Sequence, residues 1–250
     1  MKEVITKILN NIHQHHRKLH FHDRDELCVA KVPIFSELYK TELEKINSLV
    51  IGSRHKKGEI LFMQKDPIDH LYIIDSGKVK FYEVSSEGKQ QIVKILGDGD
   101  FFGELSIFTD DVSNLNAEVI YETDICMISK DDFKIFLRKN PNILLKITEF
   151  LSKRLSEAEN LIANLSLKNS DQKIASWLLT MGDKNGVYSS NGIKLKLYLS
   201  RKEIADFLGL TIETVSRKLN QLQNDRIITI VNRQEIAIHD RSKLEELSDI

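Results

Sequence analysis

The sequence has only two cysteines, Cys28 and Cys126, among its 250 residues. Two thiols are too few for a structural disulfide framework, and they cannot by themselves supply the four ligands of an iron–sulfur cluster. The chain also lacks an apolar run of the ~18 residues that span a membrane. Its first twenty residues lack the apolar core and the small-residue cleavage site of a secretion signal. These absences predict a cytoplasmic protein without a membrane partner.

Charge and chemistry-bearing motifs are also sparse. The 36 basic and 37 acidic residues leave a formal net charge of −1, which by itself indicates no nucleic-acid partner. Between Leu199 and Arg233, however, six basic residues stand against four acidic ones, a net of +2 and a mild positive patch. We find no nucleophile elbow, phosphate loop or paired-histidine metal motif, so we expect no enzyme. At this length the chain has room for two domains.

The stretch from Leu199 to Arg217 has the pattern of two short helices joined by a tight turn. Ser200 is a good N-cap residue, and Glu203 completes a capping box. Gly209 stands where the first helix must end, because glycine takes the left-handed conformation that a sharp turn needs. Thr211 then caps a second helix. The buried face of that helix consists of Val215, Leu219 and Leu222. This pattern predicts a helix-turn-helix, whose second helix lies in the major groove of DNA.

The start of the second helix carries the candidate base contacts. Arg217 can donate two hydrogen bonds to guanine O6 and N7, and Glu213 can accept one from a cytosine amino group. The alternative is an ordinary solvated helical hairpin, in which Glu213 and Arg217 form an i,i+4 ion pair. The candidate contacts to double-stranded DNA in the whole motif are Ser200, Arg201, Thr211, Ile212, Glu213, Thr214, Ser216 and Arg217.

The helix-turn-helix is flanked by further elements. A helix is predicted over Asp171–Met181, capped by Ser170 and ended by Gly182, and a strand over Ile193–Leu199. After the second helix, the runs Ile227–Val231 and Glu235–Ile238 predict a β-hairpin wing. Such wings lie against the phosphate backbone, and the residue at the tip that fits this contact is Arg233.

Residues 33–51 read as a short helical entry, and residues 54–130 alternate with period two between glycine-bearing turns. This alternation predicts a β-sandwich or small barrel of many short strands. The predicted strands are Ile60–Phe62, Leu71–Ile74, Lys78–Val84, Gln91–Leu96, Ala117–Ile120 and Ile125–Ile128.

Residues 142–167 return to helical periodicity with a heptad seam. Six of the seven seam positions are apolar. We expect a coiled-coil homodimer, because two recognition helices on a two-fold axis would read half-sites about 34 Å apart. The alternative is packing against the chain's own β domain. The seam consists of Leu144, Thr148, Leu151, Leu155, Ala158, Ile162 and Leu165.

The N-terminal 30 residues are rich in histidine, with Cys28 following. Histidine and cysteine at this density can bind zinc or iron, although their spacing matches no zinc motif. The alternative is a polar leader without a metal. The candidate ligands are His15, His20, His22, Cys28 and Cys126.

Taken together, the order of a glycine-punctuated roll, a heptad helix and a winged helix-turn-helix resembles the CRP/FNR superfamily of bacterial transcription regulators. Two blocks, 71–108 (LYIIDSGKVKFYEVSSEGKQQIVKILGDGDFFGELSIF) and 199–230 (LSRKEIADFLGLTIETVSRKLNQLQNDRIITI), carry the likeness. The fold it implies is α+β, with a cyclic-nucleotide-binding-type β-roll (jelly roll), a long dimerisation helix and a C-terminal winged helix-turn-helix. The corresponding ranges are 1–30 (leader), 31–140 (roll), 141–168 (dimerisation helix) and 169–250 (DNA-binding domain).

The resemblance also implies a DNA target and a partner. The motif Glu-x-x-Ser-Arg, here Glu213, Ser216 and Arg217, is the version of the oxygen-sensing FNR branch, which reads TTGAT-type half-sites. The cyclic-AMP receptor branch has Gly where Ser216 stands and Arg where Ile212 stands. An activator of this kind would also contact RNA polymerase.

The effector residues of the family transfer only in part. Nucleotide-binding relatives carry a Gly-Glu pair for the ribose and an Arg-Ser pair for the cyclic phosphate. Gly103 and Glu104 match the first pair, whereas Asn114 and Leu115 stand at the second. A phosphate without an arginine partner is poorly bound, so we do not expect cyclic-nucleotide binding. The roll remains a candidate site for another small effector.

The cysteines match two of the four cluster positions of the oxygen-sensing members. Cys28 falls at the last N-terminal position and Cys126 at the position in the roll, so a four-cysteine cluster is not available. Some FNR-like proteins of Gram-positive bacteria keep only such a pair, and the resemblance to them implies a thiol–disulfide switch between Cys28 and Cys126. The alternatives are two unrelated thiols, with Cys126 simply a buried strand residue, and a zinc or iron site.

Overall fold

The computed structural model describes residues 27–109, 112–189 and 192–249. They fall into two units. The first runs to Phe81 and resumes over Ile95–Leu151, and the second combines Tyr82–Lys94 with the chain from Ser152 onward. The described residues form two sheets, one of six strands and one of four.

In the roll, the strands follow the order β1-β6-β3-β4, with β2 paired antiparallel to β6 and β5 paired antiparallel to β3. This arrangement confirms the expected β-roll. The strands are β1 (Ile51–His55), β2 (Ile60–Phe62), β3 (His70–Val84), β4 (Gln90–Leu96), β5 (Phe101–Phe102) and β6 (Asn116–Ser129).

Two of the roll strands are longer than predicted. The expected runs Leu71–Ile74 and Lys78–Val84 are one continuous strand, β3, and the two runs between Ala117 and Ile128 are one strand, β6. Gly77, which stands between the two predicted runs, lies inside β3, where its φ of 107° lets the backbone pass close to the Thr123 side chain. The glycine therefore marks a close approach of two strands rather than an end.

Short helices cover one face of the roll. They are two 3-10 helices (Cys28–Lys31 and Pro33–Phe35), α1 (Lys40–Asn47), α2 (Glu104–Thr109) and α3 (Lys130–Lys139). The predicted single helical entry over 33–51 is thus a 3-10 helix, then α1, then the start of β1. One apolar core joins these helices to the roll, and its members include Phe35, Ile73, Phe101, Cys126 and Phe133.

The long helix α4 spans Asn142–Leu167, as the periodicity predicted. Its first turns belong to the core of the first unit, where Ile143 and Ile147 are buried and Phe150 stacks on Phe101 with ring centroids 4.3 Å apart. Leu151, a predicted seam residue, also packs against this core.

The second unit is a winged helix-turn-helix. Its sheet has the order β7-β8-β10-β9. The elements are α5 (Ser170–Asn185), β7 (Gly186–Ser189), β8 (Gly192–Lys196), α6 (Arg201–Leu208), α7 (Ile212–Asn224), β9 (Ile228–Asn232), β10 (Glu235–Ile238) and α8 (Arg241–Asp249).

The ends of α5 differ from the prediction. Its N-cap is Asn169 rather than Ser170, because the Asn169 Oδ1 accepts from the backbone amides of Asp171 (2.9 Å) and Gln172 (3.1 Å). The helix continues past Gly182, which is buried against side chains of the sheet. A Cβ added at Gly182 would lie 3.6 Å from Ile238 Cδ1. Gly182 therefore allows α5 to pack closely against the sheet and does not end the helix.

Candidate DNA-binding surface and thiol pair

Local hydrogen bonds build the helix-turn-helix as predicted. Ser200 Oγ accepts from the Glu203 amide at 3.2 Å, and Glu203 Oε2 accepts from the Ser200 amide at 2.8 Å. Gly209 ends α6 with φ 64° in the left-handed region. Thr211 Oγ1 accepts from the Thr214 amide at 3.2 Å and caps α7. These contacts fix the turn between the two helices.

The recognition helix α7 has one buried and one open face. The buried face is formed by Val215, Leu219 and Leu222. Glu213 and Arg217 are exposed, Ser216 is half-buried between them, and Ile212 is 42% exposed. Among the described residues, no ion pair engages Glu213 or Arg217, so the hairpin alternative with an i,i+4 pair finds no support. Both charged groups are available to a ligand.

Arg201 occupies the first position of α6 and is half-buried. Burial lowers the pKa of its guanidinium. Its Nη1 atom is buried without a hydrogen-bond acceptor in the described part of the chain. Buried donors are normally paired. Because Arg201 as a whole stays partly exposed, it remains a candidate for a phosphate contact at the start of α6.

The wing follows the recognition helix directly. Arg233 is exposed at its tip, where the backbone amide of Gln234 donates to Asn232 Oδ1 at 2.8 Å. Gln223, near the end of α7, accepts through Oε1 from the Ile230 amide at 2.8 Å. Sequence patterns gave no indication of the Gln223 contact, because its partner lies on the next element.

The predicted seam on α4 is largely open in the single chain. Leu155 is 62% exposed and Ile162 65% exposed, and Leu144, Thr148 and Ala158 are exposed as well. Leu151 is half-buried against the roll core, and the side chain of Leu165 lies outside the described residues.

The two thiols meet in the core of the first unit. Cys28, on the first 3-10 helix, is 5% exposed, and Cys126, on β6, is fully buried. A hydrogen bond with Cys28 raises the pKa of the Cys126 thiol, and burial and the carboxylates of Asp75 and Asp124 raise it further. The two side chains are not joined by a disulfide in this structure. The structure therefore brings together the two cysteines that the resemblance singled out.

Each nearby carboxylate has a cationic partner. Lys31, on the same 3-10 helix as Cys28, binds Asp75 Oδ1 through Nζ at 2.7 Å. Arg54 binds Asp124 with two hydrogen bonds of 2.6 and 2.9 Å. Lys31 thus ties the helix of Cys28 to the strand beside Cys126.

The candidate effector residues lie beside a filled roll interior. Glu104 is buried at the start of α2, and Gly103 precedes it with φ 90°. The interior contains Tyr72 stacked on Phe102, with ring centroids 4.7 Å apart. Leu115, at the place of the family's Arg-Ser pair, packs against this aromatic cluster, whereas Asn114 is exposed. An apolar leucine there offers no partner for a cyclic phosphate.

The candidate metal ligands divide between described and undescribed parts of the chain. Its ligands His15, His20 and His22 lie outside the described residues. Within residues 27–109, 112–189 and 192–249, no group of three His, Cys, Asp or Glu side chains is arranged to hold a metal ion. The helices of these same ranges include none with the length and apolarity needed to cross a membrane.

Comparisons with known proteins match both units. A family model for the cyclic nucleotide-binding domain matches residues 53–140, and one for the Crp-like helix-turn-helix domain matches residues 172–247. The nitrogen fixation regulation protein FixK of Bradyrhizobium diazoefficiens is 28% identical over 91% of this chain and 94% of the relative. The fumarate and nitrate reduction regulatory protein of Yersinia pestis is 26% identical over 89% of each chain. The solved structure of FixK2 from Bradyrhizobium japonicum matches with a TM-score of 0.73 and 26% identity, over 80% of this chain and 98% of that chain.

A capped helix-turn-helix with an open recognition face, a wing and a separate β-roll together define a DNA-binding transcription regulator. The two sequence relatives carry the names of regulatory proteins, and the matches cover most of their length. The chain belongs to the CRP/FNR superfamily of bacterial transcription regulators.

Proposed function

We propose that the chain acts as a homodimer that reads an inverted repeat of TTGAT-type half-sites and is switched by a reversible disulfide between Cys28 and Cys126. The observation that carries the DNA-reading part is the open face of α7. Glu213 and Arg217 stand there one helical turn apart, both exposed and neither in an ion pair with any residue that the structure describes, with Ser216 between them. These residue types match the FNR version of the recognition motif.

Phosphate contacts would set the register of the recognition helix. Arg201 is one candidate, because it is the first residue of α6 and remains partly exposed there. Arg233 at the tip of the wing is the second candidate. Ser200, Thr211 and Thr214 lie at the starts of the two helices, where hydroxyls and backbone amides can approach the DNA backbone.

Dimerisation through α4 is supported by its exposed apolar seam. Side chains such as Leu155 and Ile162 leave most of their surface in water in the single chain. Burial of apolar surface contributes about 25 cal/mol per Å², so pairing with a second α4 would be favourable. A two-fold dimer would present one recognition helix to each half-site of an inverted repeat, whereas a single copy would contact only one half-site.

The thiol switch is supported by the position of the two cysteines, which are buried in the same apolar core. Oxidation would form one S–S bond, releasing two protons and passing two electrons to an oxidant such as hydrogen peroxide or a low-molecular-weight disulfide. The raised pKa of Cys126 keeps it in the neutral thiol form, and the neutral thiol is the poor nucleophile. We therefore expect slow oxidation and a switch that responds to sustained oxidising conditions.

Binding-site selection from random DNA, carried out with reduced and with oxidised protein, tests the proposal. We expect an inverted repeat of TTGAT-type half-sites in at least one state, and a change in affinity on oxidation that the Cys28→Ser variant lacks. Peptide mass spectrometry of the oxidised protein should show a peptide in which residues 28 and 126 are linked.

The three parts of the proposal fail separately. A selected sequence of another kind contradicts the TTGAT assignment, and a monomer bound to single half-sites contradicts the dimer. Absence of the linked peptide after treatment with diamide contradicts the switch.

A further inference from the structure

Lys218 follows Arg217 on the recognition helix, and as a basic residue there it would ordinarily be counted among the DNA contacts. Its side chain is only 17% exposed. Its ammonium lies 2.6 Å from Asp171 Oδ1 and 2.7 Å from Asp171 Oδ2, so it binds both oxygens of one carboxylate. Lys218 therefore belongs to the interior side of α7 rather than to the open face.

Asp171 is itself held on a rigid element. It is the second residue of α5, and the Asn169 cap fixes its backbone amide at 2.9 Å. Gln172 completes the capping box, with Oε1 accepting from the Asn169 amide at 2.8 Å. Beyond this first turn, α5 is anchored in the core by Ile174, Trp177 and Leu178. The carboxylate that binds Lys218 thus has a defined place in the domain.

The ion pair has a directional character that the rest of the α7 packing lacks. Val215, Leu219 and Leu222 bury apolar surface, and such burial is non-directional. A carboxylate bound through both oxygens fixes an atom position. Because successive residues of an α-helix are about 100° apart around the axis, fixing Lys218 also fixes the direction in which Arg217 points.

We propose that Asp171 is a positioning residue for DNA recognition, which sets the rotation of α7 through Lys218 and keeps the Lys218 ammonium away from DNA phosphates. The proposal rests on the sequence-specific DNA binding proposed above, and it makes α5 part of the base-reading geometry. Lys218 contributes to specificity without touching DNA. The positive charge available to the DNA phosphate backbone is therefore one less than the count of basic residues in the sequence indicates.

The test compares Asp171→Asn, Lys218→Met and the double variant in the full-length chain. Asp171→Asn keeps the side-chain size but removes the charge, and Lys218→Met keeps most of the stem. Asp183→Asn is the matched control, because Asp183 lies on the same helix and binds Arg241 away from α7. Affinity is measured on the duplex selected by the wild type and on a scrambled duplex, each over a range of salt concentrations, together with the thermal midpoint.

We expect each single variant to lose about five- to tenfold in affinity for the selected duplex, with affinity for the scrambled duplex within about twofold, because a misdirected Arg217 costs about as much as one mismatched base pair. The double variant should lose no more than either single variant. Lys218→Met should leave the salt dependence of binding unchanged, and the control should leave the ratio of the two affinities unchanged.

Three results would overturn the proposal. One is equal loss on both duplexes in Asp171→Asn. Another is a fall of about one in the salt slope of Lys218→Met, which would make Lys218 a phosphate contact. The third is a loss of specificity in Asp183→Asn as large as that in Asp171→Asn. The duplex used here is the one that the wild type selects from random DNA. A selected sequence other than a TTGAT-type repeat would therefore contradict the proposed target sequence, but the variants could still be compared on that duplex.

Discussion

Gln223 Oε1 accepts a hydrogen bond from the backbone amide of Ile230 at 2.8 Å, which joins the recognition helix α7 to the first strand of the wing. The bond connects the element proposed to read bases with the one proposed to contact phosphates. Because the wing carries Arg233, the orientation of that guanidinium depends on this link as well as on the pairing of β9 with β10.

Replacing Gln223 with Met removes the acceptor at nearly constant size. We expect affinity for the selected and the scrambled duplex to fall together by about 0.5–1.5 kcal/mol, the usual net worth of one hydrogen bond. Measurement of both affinities in Gln223→Met, Arg233→Gln and the double variant checks this. If the link acts through Arg233, the double variant loses no more than Arg233→Gln alone. Additive losses would show that Gln223 acts by another route.

Arg217→Ala should separate base reading from backbone contact. We expect a loss of about 1–3 kcal/mol on the selected duplex and almost none on random DNA, because a bidentate guanine contact carries sequence information. Arg233→Ala is the comparison variant, and it should weaken both duplexes alike and reduce the salt slope by about one. Equal losses on both duplexes in Arg217→Ala would place its guanidinium on a phosphate.

Local and distant contacts differ in how far sequence patterns predicted them. The caps of α6 and α7 and the left-handed Gly209 were predicted correctly, since each depends on groups within four residues of one another. Continuous β3 was missed because the reason for Gly77 lies on β6, where Thr123 approaches its backbone. Likewise, nothing local to α7 indicates that Lys218 binds Asp171, 47 positions earlier. Patterns predict the elements, whereas pairs joined by tertiary packing need the fold.

The seam of α4 predicts the effect of charge on assembly. Leu155→Glu and Ile162→Glu place a carboxylate where two helices would meet, so each should convert the proposed dimer to a monomer at micromolar concentration and abolish binding to the proposed inverted repeat. Ser156→Glu is the control, because Ser156 is exposed next to the seam but not on it. Sedimentation equilibrium measures the mass. A seam variant that stays dimeric would exclude this surface as the interface.

The raised pKa of Cys126 predicts how its reactivity depends on pH. Only the thiolate reacts with iodoacetamide, and a pKa above the ordinary value leaves a small thiolate fraction at neutral pH. In the Cys28→Ser variant of the folded protein, the pH at which the alkylation rate of Cys126 reaches half its maximum should lie above the ordinary value. In urea the half-maximal rate should fall at the ordinary pKa of about 8.5. A half-maximal rate at or below that pH in the folded state would contradict the burial and the carboxylate environment described for this thiol.

Gly77 and Gly88 offer a matched pair for the roll, because both have positive φ, 107° and 79°, and only one is crowded. A Cβ at Gly77 would collide with Thr123 Oγ1 and the Glu122 carbonyl oxygen, whereas a Cβ at Gly88 meets no atom within 4 Å. Gly88→Ala should therefore lower the free energy of unfolding only by the cost of holding alanine in the left-handed conformation, about 1–2 kcal/mol. The lower conformational entropy of the unfolded alanine chain offsets part of this loss.

Gly77→Ala adds the collision with β6 to that cost, since the strand must shift or the backbone must strain by a further ~1–3 kcal/mol. The free energy of unfolding in urea, measured for both variants, gives the difference. We expect Gly77→Ala to be the less stable variant by at least about 1 kcal/mol. Equal losses would mean that β3 and β6 separate at this point without cost, which the close approach of Gly77 to Thr123 argues against.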